Sequence, residues 1–385
     1  MNSNNNRRDF LKTAGLAAGG AFLASGRSGA QIPEKKPASK ISGRMKLTYK
    51  PYELQMKHVF TLASSSRSTT PVMLTEIRLG DFVGYGEASM PPYLGEDHQT
   101  VANFLSKVDL GQFADPFLTE DIMEYVDALD TGNYAAKASV DIALHDLIGK
   151  ILGEPWFRIW GLNPKETPDT SFTIGIDKPE VVREKTREAA PYNILKVKLG
   201  RGTDRQMIRT IREVTDKPLC VDVNQGWEDR KQALEMTHWL KEQGVVFVEQ
   251  PMPKGDVDGI AWLTENSPLP IMADEALQTV GDVKNTFGIY SGVNIKLMKC
   301  GGLRAARQMA TTARGLGMKV MFGCMTETSC AVTAAAQLSP MADWADLDGN
   351  LLIDNDVFDG LKVVDGRVVL PRRPGIGVVP LKNES

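Results

Sequence analysis

Two rhythms of apolar and polar residues divide the chain. From Met45 to about Gly86 the two kinds alternate in runs such as MKLTYKPYEL, HVFTLA, PVMLTEIRLG and FVGYGEA, the period of half-buried strands. The next runs, HQTVANFLSKV and AAKASVDIALHDLIGKILG, carry apolar residues at helical spacing, so residues 45–165 read as an α+β unit. After Pro168 short apolar strands recur: SFTIGI, ILKVKL, LCVDVN, VVFVEQ, IMADEA, VNIKLM, VMFGCM and WADLDG. A charged, helix-like segment separates each from the next. Such strand-plus-helix units predict an α/β fold, a (β/α)8-type barrel over residues 166–350. No glycine-rich phosphate turn follows a first strand, which argues against a doubly wound open sheet.

The strand YNILKVKLG sends Leu195, Val197 and Leu199 to one face and Lys196 and Lys198 to the other. Helices covering the apolar row would leave both lysines facing the barrel interior; the alternative is a half-exposed strand with a solvated face. On the third barrel strand Cys220, Asp222 and Asn224 share a face, on the fourth Val245, Phe247 and Glu249, and the fifth ends at Asp274. The sixth turns Asn294, Lys296 and Met298 inward and Val293, Ile295 and Leu297 outward. Lys198, Asp222, Glu249, Asp274 and Lys296 recur at roughly 22 to 27 residues, one strand-plus-helix unit, and fall at strand C-termini, where barrels keep their active sites. Three carboxylates on neighbouring strands cannot all stay ionised without a cation between them, and a hard oxygen set points to Mg²⁺. Strands two and six face each other across a barrel. Lys198 and Lys296 would therefore flank opposite faces of a metal-bound carboxylate, one removing its α-proton to give an enediolate and the other returning it. The charge of Lys196 would lower the pKa of Lys198; alternatively Lys196 pairs with a carboxylate such as Asp222.

The net charge of the 385 residues is −3, with acidic and basic positions interspersed, so neither nucleic acid nor an anionic membrane surface is an expected partner. The four cysteines, Cys220, Cys300, Cys324 and Cys330, have no zinc-type spacing and fall in or beside core strands, which predicts buried free thiols. Arg7-Arg8 precedes a weakly apolar run ending near Ser28-Gly29-Ala30. This resembles a twin-arginine export signal over residues 1–30, with 31–44 as a linker, periplasmic delivery and no membrane anchor after processing.

The set KVK, VDVNQGW, VEQP, ADEA and NIKLMKCGG, preceded by GYGEA, resembles the enolase superfamily over nearly all of residues 45–380, in particular the muconate lactonizing subgroup and its dipeptide epimerases. The resemblance implies a capping domain over the barrel that residues 351–385, including VVDGRVVLP, return to complete. It implies Asp222, Glu249 and Asp274 as ligands of one Mg²⁺ per subunit, with Mn²⁺ as a substitute, Asn224 and Glu275 beside them, and Lys198 and Lys296 as acid and base. Asp346 and Asp348 look like the pair that holds a substrate ammonium. Arg67, in SSSRSTTP between two cap strands, looks like the loop arginine that meets a glutamate side chain. Lys196, Thr173, Cys324 and Met325 would line the pocket. The implied reaction is epimerisation of L-Ala-D/L-Glu, for an exported enzyme near murein peptides; a homo-oligomer stays open, and Glu87, Tyr93 and His98 receive no role. Two alternatives remain at this point: an o-succinylbenzoate synthase or cycloisomerase of the same subgroup, and a non-catalytic exported binding protein.

Overall fold

The computed structural model describes residues 42–61 and 66–382. The expected export signal and most of the expected linker lie outside the described residues. An antiparallel sheet opens the chain, β1 (Lys46–Thr61), β2 (Ser66–Leu79) and β3 (Phe82–Ser89), in the order β1-β2-β3. Helices α1 (His98–Leu105), α2 (Thr119–Ala128), α3 (Tyr134–Leu152) and α4 (Trp156–Ile159) follow. Every residue of α3 from Ala135 to Gly149 is buried. The GYGEA motif supplies one reason: a Cβ on Gly84 would stand 2.0 Å from the Ala143 carbonyl oxygen, and one on Gly86 2.0 Å from that of Ser139. Only glycine lets β3 lie directly on the backbone of α3.

Eight parallel strands then alternate with helices: β4 (Ser171–Ile174), β5 (Ile194–Lys198), β6 (Leu219–Asp222), β7 (Val245–Glu249), β8 (Ile271–Ala273), β9 (Gly292–Lys296), β10 (Lys319–Gly323) and β11 (Trp344–Asp346). They pair in sequence order, and a parallel bridge between Thr170 and Ala345 joins last to first. The intervening helices are α5 (Pro179–Glu188), α6 (Asp204–Arg212), α7 (Arg230–Glu242), α8 (Val257–Asn266), α9 (Val280–Thr286), α10 (Leu297–Cys300) with α11 (Leu303–Gly315), and α12 (Ser329–Ala336). Leu195, Val197 and Leu199 are wholly buried, as are Leu303, Ala306, Ala310 and Ala313 on α11, whose spacing of three and four residues makes one apolar face. Each leucine or valine so covered contributes about 1.5–3 kcal/mol. Inside the barrel, Cys220, Phe247, Met272 and Met321 form a separate apolar cluster, with the Phe247 and Trp344 rings 4.7 Å apart. All four cysteines are free thiols.

Among the described residues no α-helix follows β11. Instead a 3-10 turn at Gly349–Leu352 carries the chain to the cap, where Ile353 bridges Met56 and the Asn355 amide bonds Gln55 N and Glu53 O, each at 2.8 Å. Strand β12 (Phe358–Asp359) pairs with β15 (Val379–Pro380), and Ile376 N donates to Asp146 Oδ1 on α3 at 3.0 Å. The hairpin of β13 (Lys362–Val364) and β14 (Arg367–Val369), which contains most of VVDGRVVLP, goes elsewhere. It sits at the start of β4, accepting from Thr170 N at Gly366 O (3.0 Å) and from Thr167 Oγ1 at Val368 O (2.9 Å).

Candidate active site

The strand ends converge beneath the cap on a cavity of about 290 Å³. That is the size of a small-molecule site at the lower end of the range. Thr173, Lys196, Lys198, Asn224, Asp274, Glu275, Lys296, Cys324, Met325, Asp346 and Asp348 line it, and Arg67 reaches it from the cap. Asp222 and Glu249 lie beneath the surface, both fully buried. The half-exposed alternative for strand β5 fails: Lys196 is 2% and Lys198 7% exposed.

Ligand atoms of Asp222, Glu249 and Asp274 all lie within 4.8 Å of one another, so the triad could hold a metal ion. Its members differ in what neutralises them. Burial alone would raise Asp222, but Lys198 at 2.6 Å and Lys196 at 3.2 Å outweigh it and bring the carboxyl below its ordinary range. Burial opposes Asp274 too, yet Lys296 (2.7 Å to Oδ2) and Lys299 (2.5 Å to Oδ1) hold it well below. Glu249 is pushed up to about 8 by burial and by the charge of Asp222. Asn294 donates to its Oε1 at 2.7 Å, whereas Oε2 stands 2.7 Å from Lys196 without hydrogen-bond geometry. The acceptors Asn224 Oδ1 and Glu275 Oε2 are likewise buried without a partner among the described residues. Glu275 is pushed up to about 7, first by burial and then by Asp274.

Two expected strand faces are corrected. Strand β6 stops at Asp222; Asn224 and Gln225 turn into the left-handed region at φ 46° and 68°, and Asn224 reaches the site by folding back, its N–H on Asp222 Oδ1 at 3.0 Å and its Nδ2 on Glu275 at 3.2 Å. Strand β9 stops at Lys296, so Met298 lies on the single turn α10, not on a strand. Gln250, at φ 37° directly after Glu249, was not anticipated: its Oε1 accepts from Asp274 N at 3.0 Å and Ala276 N at 3.1 Å, locking the turn that carries Asp274.

Lys196 pairs with more than Asp222. It stands 2.6 Å from Asp346, 2.7 Å from Glu249 and 3.2 Å from Asp222. Burial would lower it, but the three carboxylates hold it well above its ordinary value. Asp346 ends β11 and also accepts from Ser171 Oγ at 2.7 Å; Asp348 lies beyond the strand, not on it, and accepts from Thr173 N at 2.7 Å. Burial and Asp346 push Asp348 up to about 7. Cys324 Sγ contacts Asp346 O at 3.2 Å, and Gly349 N donates to it at 3.3 Å.

Arg67 lies inside β2, not in a loop; its Nε donates to Thr70 Oγ1 and its Nη2 to Thr326 Oγ1, each at 3.1 Å, which joins cap to barrel at the cavity mouth. Tyr93 also enters the cavity, with its hydroxyl against Met325 Sδ. The other two unassigned residues are structural. His98 Nε2 lies 3.2 Å from Tyr52 O and 3.0 Å from Val72 O, tying α1 to the sheet. Glu87, on β3, accepts from Thr328 N and Oγ1 at the start of α12, and burial pushes its carboxyl up to about 7.

A barrel closed by an antiparallel cap, with three buried carboxylates on consecutive strands between two lysine-bearing ones, is the arrangement of the enolase superfamily. Residues 46–161 match the mandelate racemase / muconate lactonizing enzyme N-terminal domain and residues 180–384 the "Enolase C-terminal domain-like" family, so the chain belongs to that family. It is 59% identical over 381 residues to an L-Ala-D/L-Glu epimerase of Bacteroides thetaiotaomicron, covering 98% of this chain and 100% of the relative. Among solved structures it is similar to a substrate-liganded complex of the Bacillus subtilis L-Ala-D/L-Glu epimerase (28% identity, TM-score 0.81, 88% of this chain and 99% of that one). It is also similar to a dipeptide epimerase of Enterococcus faecalis complexed with Mg and L-Leu-L-Tyr (29% identity, TM-score 0.81, 87% and 99%).

Proposed function

We propose that this chain is a dipeptide epimerase that inverts the α-carbon of the second residue of L-Ala-D/L-Glu and related dipeptides. One observation carries the reading: Lys198 and Lys296, from strands β5 and β9 on opposite sides of the barrel, both reach the cavity above the acidic triad. The donor set fits Mg²⁺, since the oxygens are hard, buried and close, and Glu249 keeps an oxygen that no hydrogen bond satisfies. Asp222, Glu249 and Asp274 would hold it. When bound, Mg²⁺ stabilises the negative charge that builds on the substrate carboxylate as the α-proton leaves. Lys198 and Lys296 then share the proton work: one takes the α-proton, the other delivers a proton to the opposite face, and the two end with exchanged protonation. Lys196 stays charged and offsets the mutual repulsion of three carboxylates, Asp222, Glu249 and Asp346. Asp346 and Asp348 receive the dipeptide ammonium, whose charge would return Asp348 to its ionised form; the substrates of an o-succinylbenzoate synthase or a cycloisomerase carry no such cation. Arg67 at the mouth meets the glutamate side chain. Thr173, Cys324 and Met325 bound the first residue.

The test is to incubate the Mg²⁺ form with L-Ala-L-Glu in D₂O and follow the glutamate α-proton by NMR. Exchange with inversion is expected, with loss of inversion in both Lys198→Ala and Lys296→Ala. Arg67→Gln should raise KM for this dipeptide roughly 10- to 100-fold, the worth of a charge-assisted pair, and leave L-Ala-L-Leu unaffected. No exchange by the parent protein would refute the reading. The Arg7-Arg8 stretch further supports export, where murein peptides supply Ala-Glu. A reporter fused to residues 1–44 should leave the cytoplasm, and a double variant with Arg7→Lys and Arg8→Lys that leaves equally well would count against the twin-arginine route.

A further inference from the structure

Lys299 stands three residues after Lys296, and both ammonium groups reach Asp274. They hold it differently. Lys296 makes one hydrogen bond among the described residues, to Oδ2 at 2.7 Å. Lys299 makes three, to Asp274 Oδ1 at 2.5 Å, to the Asp274 carbonyl at 2.7 Å and to the Asn294 carbonyl at 3.1 Å, so each of its three protons has an acceptor. It is 5% exposed, and withdrawing it would leave those acceptors buried without a donor. A lysine saturated in this way is a fixture, whereas one held by a single oxygen is free to turn to another partner.

We infer that Lys299 is a positioning residue for the acidic triad: it clamps Asp274 through Oδ1 and the carbonyl, so that Oδ2 alone is left to pass between Lys296 and a divalent cation. The clamp extends to the neighbouring strand. Asn294, whose carbonyl accepts from Lys299, donates its Nδ2 to Glu249 Oε1 at 2.7 Å, and its amide is boxed in by β10, where a Cβ on Gly323 would stand 2.5 Å from Asn294 Oδ1. Lys299 and Asn294 thus orient together two of the three carboxylates, Asp274 just past β8 and Glu249 at the end of β7. The inference rests on the reading of Asp274 as a ligand.

The sign of the effect separates this role from a simple charge. A cation so close to a dication site repels the incoming ion, so its removal should tighten Mg²⁺ binding. Removal of a clamp should loosen it, by the 10- to 100-fold, roughly, that partners of metal ligands usually contribute. Lys299→Met keeps the aliphatic stem and deletes the ammonium. Metal-free protein is titrated with Mg²⁺ by calorimetry, with thermal unfolding in EDTA alongside. The expected result is an affinity loss of about 10- to 100-fold. If that variant does not fold, Lys299→Arg serves: it keeps the charge but cannot set a compact ammonium among three acceptors, and its affinity should also fall. A folded Lys299→Met with unchanged or tighter Mg²⁺ binding, whatever its unfolding midpoint, overturns the inference, as does unchanged affinity in Lys299→Arg. Because the readout is Mg²⁺ binding, failure of the parent protein to epimerise L-Ala-L-Glu would count against the substrate reading alone.

Discussion

Replacing Lys196 by Met should destabilise the metal-free protein more than any other single change at the cavity, and the deficit should depend on pH. Its ammonium is 2% exposed and lies 2.6, 2.7 and 3.2 Å from Asp346, Glu249 and Asp222. Removing one partner of a buried ion pair costs about 3–5 kcal/mol, because the other charge stays buried and uncompensated. Here three carboxylates lose the same cation, which places the expectation at the upper part of that range. The carboxylates can escape by taking up protons, and Glu249 is already pushed up to about 8. Lys196 is one of the charges that hold that value down, so its removal raises it further; the cost is therefore largest in base and shrinks as the solution is acidified. In EDTA at pH 9, urea unfolding of Lys196→Met should show a loss of roughly 4 kcal/mol against the parent, and at pH 5.5 less than half of that. Saturating Mg²⁺ should recover more stability in the variant than in the parent, since a dication replaces part of the lost charge. A variant within about 1 kcal/mol of the parent at pH 9, or equally impaired at both pH values, would refute the reasoning.

Two further outcomes follow from groups away from the triad. Glu327 is buried, accepts from Met325 N at 2.9 Å, and is pushed up to about 8 by burial and by Glu87. An acid raised in the folded state contributes stability below its unfolded pKa, near 4.5, and loses it as pH rises through about 8. Glu327→Gln should therefore be near neutral at pH 4.5 and stabilising at pH 9, by an amount on the order of 5 kcal/mol at most; equal effects at both ends, read from urea midpoints, would contradict this. Gly86→Ala should cost about 3 kcal/mol, the upper end for overpacking, because its Cβ would meet the Ser139 carbonyl oxygen at 2.0 Å and backbone cannot step aside. Gly132→Ala, at φ 70° in open space, should cost only the roughly 1–2 kcal/mol of the left-handed backbone; a thermal melt that ranks the two the other way would count against the close cap-to-helix packing.

What could be read from the sequence was whatever repeats locally. The period of two placed Lys196 and Lys198 on one face and Leu195 and Val197 on the other, and the unit length placed Asp222, Glu249 and Asp274 at successive strand ends; both are properties of short segments. The features that escaped depend on where a strand stops. Extending β9 past Lys296 sends Lys299 outward with the odd positions, but the chain turns helical at Leu297, and one turn brings Lys299 back onto the carboxylate that Lys296 holds. Asn224, Gln225 and Gln250 leave their strands through left-handed backbone that non-glycine residues seldom adopt, and two of them reach the triad because of it. Partnership was the other unreadable quantity. Lys196 meets Asp346 across 150 residues, a contact that exists only once the barrel closes. That closure also explains why one strand can carry two inward lysines at all. Lys196 is held by carboxylates from three other strands, β6, β7 and β11, and so is fixed by the assembled barrel, whereas Lys198 pairs among the described residues with Asp222 alone, at 2.6 Å.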